Sequence, residues 1–422
     1  MRKDYLKLLE GYVDKLWEGS MDENLRLAIT RAVRSYRRNR DEALRLFPRV
    51  EKLAERLKEV KEWSLTHMDQ LLKQLRDRVE DSKGCFFYAR TVEDALEYIG
   101  DVVKEGDIVT KSKSLTCEEL HINRFLEEMG CRVYETDLGE FIIQQLGEKP
   151  MHLLSPAIHV PRERVAKLFS KIYRKPLPPH IPTLVAETRK YLRQVFINAD
   201  VGITGANAVA ADTGTVFIIE NEGNARLVTG LPEKHIAVAG LEKILPTLMD
   251  CMMLVEVATR YANYKAPTYV NMTSGPSKSG DIEKNIVYGV HGPREFHLLI
   301  LDNHRTDMIR DEVYRQALYC VRCGGCMYEC PVYGVVAGYF GHIYVCGIGA
   351  ALTRFLLGGL ERAVPIAYTC TMCGRCVEYC PMGIDVPEIV LKIRREASKA
   401  GLTPPSVLKG LEEFTGVSLR DK

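Results

Sequence analysis

CVRCGGCMYECP, from Cys320 to Pro331, and CTMCGRCVEYCP, from Cys370 to Pro381, repeat one cysteine spacing and end on the same Cys-Pro pair. In each, thiols at C-x2-C-x2-C can wrap three corners of an iron-sulfur cubane, while the fourth cysteine points at the neighbouring cluster. The spacing assigns Cys320, Cys323, Cys326 and Cys380 to one [4Fe-4S] cluster and Cys370, Cys373, Cys376 and Cys330 to a second. Zinc ribbons use C-x2-C pairs rather than triplets, and unliganded core thiols have no reason to repeat a spacing with a trailing proline. The chain has 13 cysteines, an odd total that favours metal ligation over a disulfide framework.

Between the motifs run the 39 residues 331–369, more than a compact bacterial ferredoxin spends there, and helix is expected in them. The stretch PVYGVVAGYFGHIYVCGIGAAL, Pro331 to Leu352, carries no formal charge over 22 residues and so reaches the length of a membrane span. A spanning helix would hold its ends about 30 Å apart, whereas the exchanged fourth ligands require the two motifs to meet. A buried wrap around the clusters is the better reading, with Gly334, Gly338, Gly341, Gly347 and Gly349 allowing close backbone approach. An apolar docking face for a partner is the alternative. Cys346 lies in this stretch outside both motifs and reads as a small core residue, as do Cys85, Cys117, Cys131 and Cys251.

Upstream the pattern changes. The 422 residues, at about 150 per domain, make two or three domains. Residues 1–80 are helical in pattern: Val50, Leu53, Leu57 and Val60 recur at three and four, Leu71, Leu72 and Leu75 continue the apolar face, and Pro48 marks a break. From 81 to 305, short apolar runs alternate with amphipathic segments: CFFYA, TVEDALEYIGDVVKE, DIVTKS, CEELHINRFLEEMG and CRVYETD read as β-α-β-α-β. TVFIIEN, HIAVAG and EFHLLILDN are expected to extend one mainly parallel, Rossmann-like sheet, with the Pro-rich KPLPPHIP, Lys175 to Pro182, as a connection inside the α/β domain. An α-helical cluster-binding domain follows over 306–400, and a polar tail over 401–422.

Charge excludes some partners. Lys and Arg number 58 against 56 Asp and Glu, so no global field draws the chain to nucleic acid. The run Arg31, Arg34, Arg37, Arg38 and Arg40 is diluted by Asp41 and Glu42 and reads as a solvated helix face. The opening MRKDYLKLLEGYVDKLWEG interrupts every apolar stretch with charge, unlike a secretory signal, so a cytoplasmic location is expected. No transmembrane segment is expected, while peripheral membrane contact stays open.

Two polar loops fall where strands should end, the place where open α/β sheets bind ligands. One offers Lys111, Ser112, Lys113 and Ser114 before a helix. The other, GITGANAVAADTGT, offers Thr204, Gly205, Asn207, Asp212, Thr213, Gly214 and Thr215, and ENEGNARL follows with Glu220, Asn221, Glu222, Asn224 and Arg226. A small-anion pocket and tight turns with capping hydroxyls fit these residues equally well. Neither loop has G-x-G-x-x-G or a Walker lysine, so NAD and nucleoside triphosphates are not indicated.

The strings TKSKSLTCEE, ETDLGEFIIQ, GITGANAVAADTGT, ENEGNARL and GPREFHLLILDN, followed by the paired cysteine motifs, resemble the lactate utilization protein B family over roughly residues 50 to 395. The resemblance implies a LUD domain, related to the NagB/RpiA/CoA-transferase fold, joined to an α-helical dicluster ferredoxin. It also implies a role in oxidising L-lactate to pyruvate, beside a cysteine-rich-domain subunit and a second, smaller LUD protein. Two adjacent cubanes would then relay electrons singly to a quinone or other acceptor. The alternatives are a LUD pocket that itself binds and oxidises the 2-hydroxyacid, or one that senses a small carboxylate. This chain departs from the family at Val345 and Cys346, usually Pro and Gly, and at Asp212, commonly Glu, and it lacks a longer C-terminal region after Lys422. Those departures point to service of a related, flavin-linked 2-hydroxyacid dehydrogenase as a variant of the partner set.

Overall fold

The computed structural model describes residues 2–416, so residues 417–422 of the expected polar tail lie outside the described residues. Contacts divide the chain into two compact units: Ser35–Thr306 with Val321–Gly324, and the residues through Arg34 with Asp307–Cys320 and the chain from Gly325 onward. The N-terminal helices, Arg2–Met21, Glu23–Leu46, Val50–Thr66 and Met68–Asp81, are thereby divided between them, and Pro48 falls in the break after Leu46.

The α/β unit is built on a six-stranded sheet. Its strands are β1 (Cys85–Ala89), β2 (Ile108–Lys111), β3 (Arg132–Glu135), β4 (Val201–Gly205), β7 (Lys234–Gly240) and β12 (Glu295–Leu301). They lie in the order β1-β12-β7-β4-β2-β3, and every pairing is parallel. Parallel strands need crossovers, and helices such as Val92–Val102 supply them; Thr91 starts that helix with a capping box to Asp94. Ala95, Ile99 and Leu126 pack with Val109, Ile203, Val238 and Leu299 in one buried core against the sheet. The expected single helix in CEELHINRFLEEMG is two, Leu115–Glu119 and Ile122–Glu128, because His121 adopts a left-handed φ of 48°.

One expected strand sits elsewhere. TVFIIEN does not extend the main sheet: it forms β6 (Thr215–Glu220) of a second sheet, ordered β8-β5-β6-β9, with β5 (Ala208–Ala210), β8 (Ile244–Leu245) and β9 (Tyr269–Thr273). β5 and β6 are antiparallel across Ala211–Gly214, a connection far too short for a parallel crossover, and Gly214 turns it with φ of 65°. A small hairpin, β10 (Lys278–Ser279) with β11 (Val287–Tyr288), completes the strands.

A buried charge network ties the C-terminal end of the sheet to the start of helix Arg305–Arg310. Arg305 is fully buried and its guanidinium meets Glu119 Oε1 at 2.6 Å and Glu242 Oε2 at 2.5 Å. Lys61 Nζ donates to the Glu242 backbone carbonyl at 2.8 Å. A side chain at Gly240 would start 2.2 Å from Glu242 Oε2, so only glycine fits beside the pair. Burial alone would raise the Glu242 carboxyl, yet Arg305, Lys243 and Arg322 hold it well below the usual carboxylate range.

The helical unit packs helices Cys346–Leu356, Gly359–Thr369 and Val386–Lys399 against one another. Tyr5 on the first helix joins Val364, Ala397 and Leu402 in its core, and its hydroxyl donates to the Leu402 carbonyl. Within the expected tail, Pro405–Thr415 is helical. Among the described residues, no helix is long and apolar enough to cross a membrane.

Arg305→Met should destabilise the protein by about 3–5 kcal/mol, because it leaves Glu119 and Glu242 as buried carboxylates without their cation. Denaturant unfolding of the α/β unit measures this, and a loss below about 1 kcal/mol, the range of an exposed pair, would show that the network is not buried in solution.

Candidate metal centre

The two cysteine motifs share a backbone conformation as well as a spacing. In the first, Arg322 and Gly324 have φ of 61° and 80°; in the second, Met372 and Gly374 have φ of 55° and 77°. Left-handed residues at these positions curl each loop so that successive amides face one side, the arrangement that suits an anionic group. A short helix follows each loop, Gly325–Glu329 and Arg375–Glu378, and carries the third cysteine. Amides then reach sulfur: Tyr333 N–H donates to Cys330 Sγ at 3.4 Å, Ile384 and Met382 amides serve Cys380, and the Met372 amide serves Cys370.

Cys326, Cys330, Cys346, Cys370, Cys373 and Cys376 line one small cavity in the helical unit. Burial pushes the Cys376 thiol up to about 12, and Cys326, Cys370, Cys330 and Cys373 add to the shift. Cys370 is raised by burial and by Cys330 and Cys373. Cys380 is pushed up to about 11 by burial and, among the thiols, by Cys320 and Cys326. Cys326 as well as Cys330 of the first motif thus lies with Cys370, Cys373 and Cys376 of the second, while Cys320, Cys323 and Cys380 do not line this cavity. Cys323 is buried and belongs, with Val321, Arg322 and Gly324, to the α/β unit.

Thiols that oppose one another's ionisation in a buried hollow need cations to become thiolates, and their sulfurs already accept amide hydrogen bonds. That donor set fits [4Fe-4S] clusters. Among the described residues, no group of three or more His, Cys, Asp or Glu side chains converges on the position of a single ion.

The uncharged stretch between the motifs folds back on itself. It forms helix Tyr333–Val336, a 3-10 turn at Ala337–Tyr339, a tight reversal at Gly341 with φ of 132°, and helix Cys346–Leu356. Most of it is buried, as a wrap would be. Gly347 is pressed against the cavity: a Cβ there would stand 3.2 Å from Cys370 Sγ. Arg394 fixes the second motif by donating to the Cys370 carbonyl at 2.7 Å, and Arg375 pairs with buried Glu329 at 3.1 Å.

The α/β loops are arranged differently from an open anion pocket. Lys111 is fully buried between Glu118 at 2.7 Å and Glu135 at 2.8 Å. Burial pulls its ammonium down, but the two carboxylates hold it well above its usual value. Lys113, partly exposed, pairs with Asp137 at 3.2 Å. Ser114 caps the helix Leu115–Glu119, Ser112 N–H joins the Ile203 carbonyl, and a Cβ on Gly205 would strike Ser114. Thr204 bonds His235, Asn207 accepts from Ile219 N–H, and Asp212 accepts from Leu248 N–H. Thr213 and Ser274 both bond Thr215, and Gly214 packs on Val79. Glu220 accepts from Ala225 and Arg226 amides and from Asn271.

Lys113 is brought together with Asp137, Glu140 and Glu222, of which Asp137 and Glu140 were not singled out by their residue types. Burial, then Glu135, pushes the Glu140 carboxyl up to about 8; burial, then Asp137, pushes Glu222 up to about 7. The ETDLGEF string, with three acids in six positions from the last residue of a strand, is the signal that locates them.

Over residues 72–301 the chain matches the LUD domain family, and over 316–384 the 4Fe-4S dicluster domain. It is 38% identical to lactate utilization protein B of Shouchella clausii, across 93% of this chain and 82% of that protein. It is 36% identical to lactate utilization protein B of Bacillus subtilis, across 96% of this chain and 84% of the relative. To the uncharacterized electron transport protein YkgF of Escherichia coli it is 35% identical, across 93% and 82%.

Two measurements check this geometry. Protein purified without oxygen should hold about eight irons and eight acid-labile sulfides; Cys320→Ser and Cys380→Ser should damage one cluster signal and Cys330→Ser the other. In the α/β unit, Glu140 is raised from its ordinary 4.5 to about 8, so its contribution to stability is present below about pH 4.5 and lost as pH rises through about 8. Glu140→Gln should therefore flatten the fall in melting temperature between about pH 5 and pH 9.

Proposed function

The chain belongs to the lactate utilization protein B family, and from that membership we propose that it is the iron-sulfur electron-transfer subunit of an L-lactate, or related 2-hydroxyacid, oxidising complex. The observation that supports the reading is that Cys326 and Cys330 of the first motif line one cavity with Cys370, Cys373 and Cys376 of the second. When bound, two adjacent [4Fe-4S] clusters accept electrons one at a time, which splits a pair removed from the substrate on a partner.

The chain's own residues set the conditions for that role. Cys320, Cys323, Cys326 and Cys380 hold one cluster, and Cys370, Cys373, Cys376 and Cys330 the other. Amides of Tyr333, Met372, Met382 and Ile384 donate to ligand sulfurs and thereby favour the more negatively charged, reduced state. The first turns of helices Cys346–Leu356 and Val386–Lys399 line the hollow, and Arg394 steadies the Cys370 backbone. The partners are a cysteine-rich-domain subunit and a second LUD subunit, or a flavin-linked 2-hydroxyacid dehydrogenase that receives the hydride. A quinone or another acceptor takes the electrons onward, with the complex working on the cytoplasmic side.

The division of labour is open to direct test. The purified, iron-loaded chain should cycle reversibly between oxidised and reduced states with a chemical reductant and oxidant. Lactate alone should leave its visible absorption unchanged, and bleaching should begin only when partner subunits are added. Lactate-driven bleaching of the single chain would overturn the reading in favour of catalysis inside the LUD domain, and clusters that cannot be cycled reversibly would reduce them to structural staples.

A further inference from the structure

Cys346 belongs to neither cysteine motif, yet it is not packed among aliphatic side chains alone. It is 2% exposed and lines the same cavity as Cys326, Cys330, Cys370, Cys373 and Cys376. Its thiol thus shares the cavity with those of Cys326 and Cys330, which the exchanged pattern assigns to different clusters. Its backbone is held there at a cost. The residue adopts φ of 65°, a left-handed conformation that suits glycine, while its amide is anchored to the Phe340 carbonyl at 2.8 Å. The next residue is the Gly347 that abuts Cys370 Sγ. A glycine at position 346 would satisfy this backbone without strain, so the thiol is an addition to the turn rather than a requirement of it.

We propose that Cys346 is a positioning residue for electron transfer: its S–H donates a hydrogen bond to the ligand sulfur of Cys330, with Cys326 as the other acceptor within reach, and so raises the reduction potential of the cluster that Cys330 completes. The proposal rests on the electron-transfer reading above. All eight ligand positions are filled without Cys346, so its thiol keeps its proton and has one to donate. A donor aimed at a ligand sulfur draws off negative charge, and the reduced cluster carries one more negative charge than the oxidised one. The reduced state gains more from the bond, and the potential moves up.

The experiment is an EPR-monitored redox titration of the full chain, with iron and sulfide content and melting temperature measured alongside. Cys346→Gly should assemble both clusters, melt no lower than the parent, and move the midpoint of the Cys330 cluster to a more negative potential. Cys346→Ser, which restores a donor in the same place, should bring the midpoint back toward the parent. Unchanged midpoints in Cys346→Gly would return Cys346 to the rank of a core thiol. Loss of iron in that variant would make it a ligand, and a shift that Cys346→Ser fails to reverse would assign the effect to volume; each outcome overturns the proposal. A parent chain that binds no iron would instead sink the electron-transfer reading itself, so the two failures are distinguishable.

Discussion

Thiols that are to become thiolate ligands must be gathered in a place that water does not fill, and the helical unit is shaped by keeping such a place open. Helices Cys346–Leu356, Gly359–Thr369 and Val386–Lys399 pack on one another, and the aliphatic core with Tyr5 and Val364 is built on the same helices as the cavity. Glycine 347 lets one helix start against Cys370, and left-handed residues bend each motif so that amides turn toward sulfur. Without cations the thiols there stay neutral, because burial and neighbouring thiols both oppose ionisation of Cys376 and Cys370. Cluster binding and the fold of this unit are therefore linked: whatever stabilises the thiolates stabilises the arrangement of helices that holds them.

The α/β unit resolves a different electrostatic problem. Its loop lysines, which by residue type could have faced an anion, are placed beside carboxylates: Lys111 between Glu118 and Glu135, Lys113 against Asp137. A fully buried ammonium is tolerable only with such partners, and once paired it has little charge to offer a ligand. What remains near Lys113 is an excess of carboxyl groups, and the protein accommodates them by keeping Glu140 and Glu222 protonated to unusually high pH. The strand-end position drew attention to this region, but the charge balance there is set by acids contributed from three separate segments.

That contrast shows what could be read from the chain in advance. Cysteine spacing and parallel-strand patterning are local: C-x2-C-x2-C-x3-C-P needs only consecutive residues, and CFFYA, DIVTKS, HIAVAG and EFHLLILDN all take their places in the main sheet. TVFIIEN was equally apolar and went to the second sheet, because the turn at Asp212, Thr213 and Gly214 is antiparallel and hydrophobicity does not encode which edge a strand joins. The pairing of Lys111 with Glu135, and the place of Cys346 among ligand thiols, depend on chain crossings that no window of sequence contains. Cys346 is a fair measure of this: its burial followed from its apolar neighbours, whereas its place in one cavity with five motif cysteines did not.

The two cysteine loops also show how one backbone can be secured by different means. Arg322 and Met372 occupy equivalent positions and both adopt left-handed φ, which costs an L-residue roughly 1–2 kcal/mol. Arg322 ion-pairs with Glu242 at 3.6 Å, inside the network that buries Arg305. The contorted residue of the first motif is thus held by the same carboxylate that anchors the end of the parallel sheet. In the second motif the hold comes through the backbone, where Arg394 grips the Cys370 and Ala367 carbonyls just ahead of the loop. Identical spacing and identical handedness therefore do not imply identical surroundings. A charge in one loop and main-chain hydrogen bonds at the other give the two sets of sulfurs different electrostatic environments, and unequal environments are how a protein can give chemically identical clusters unequal potentials.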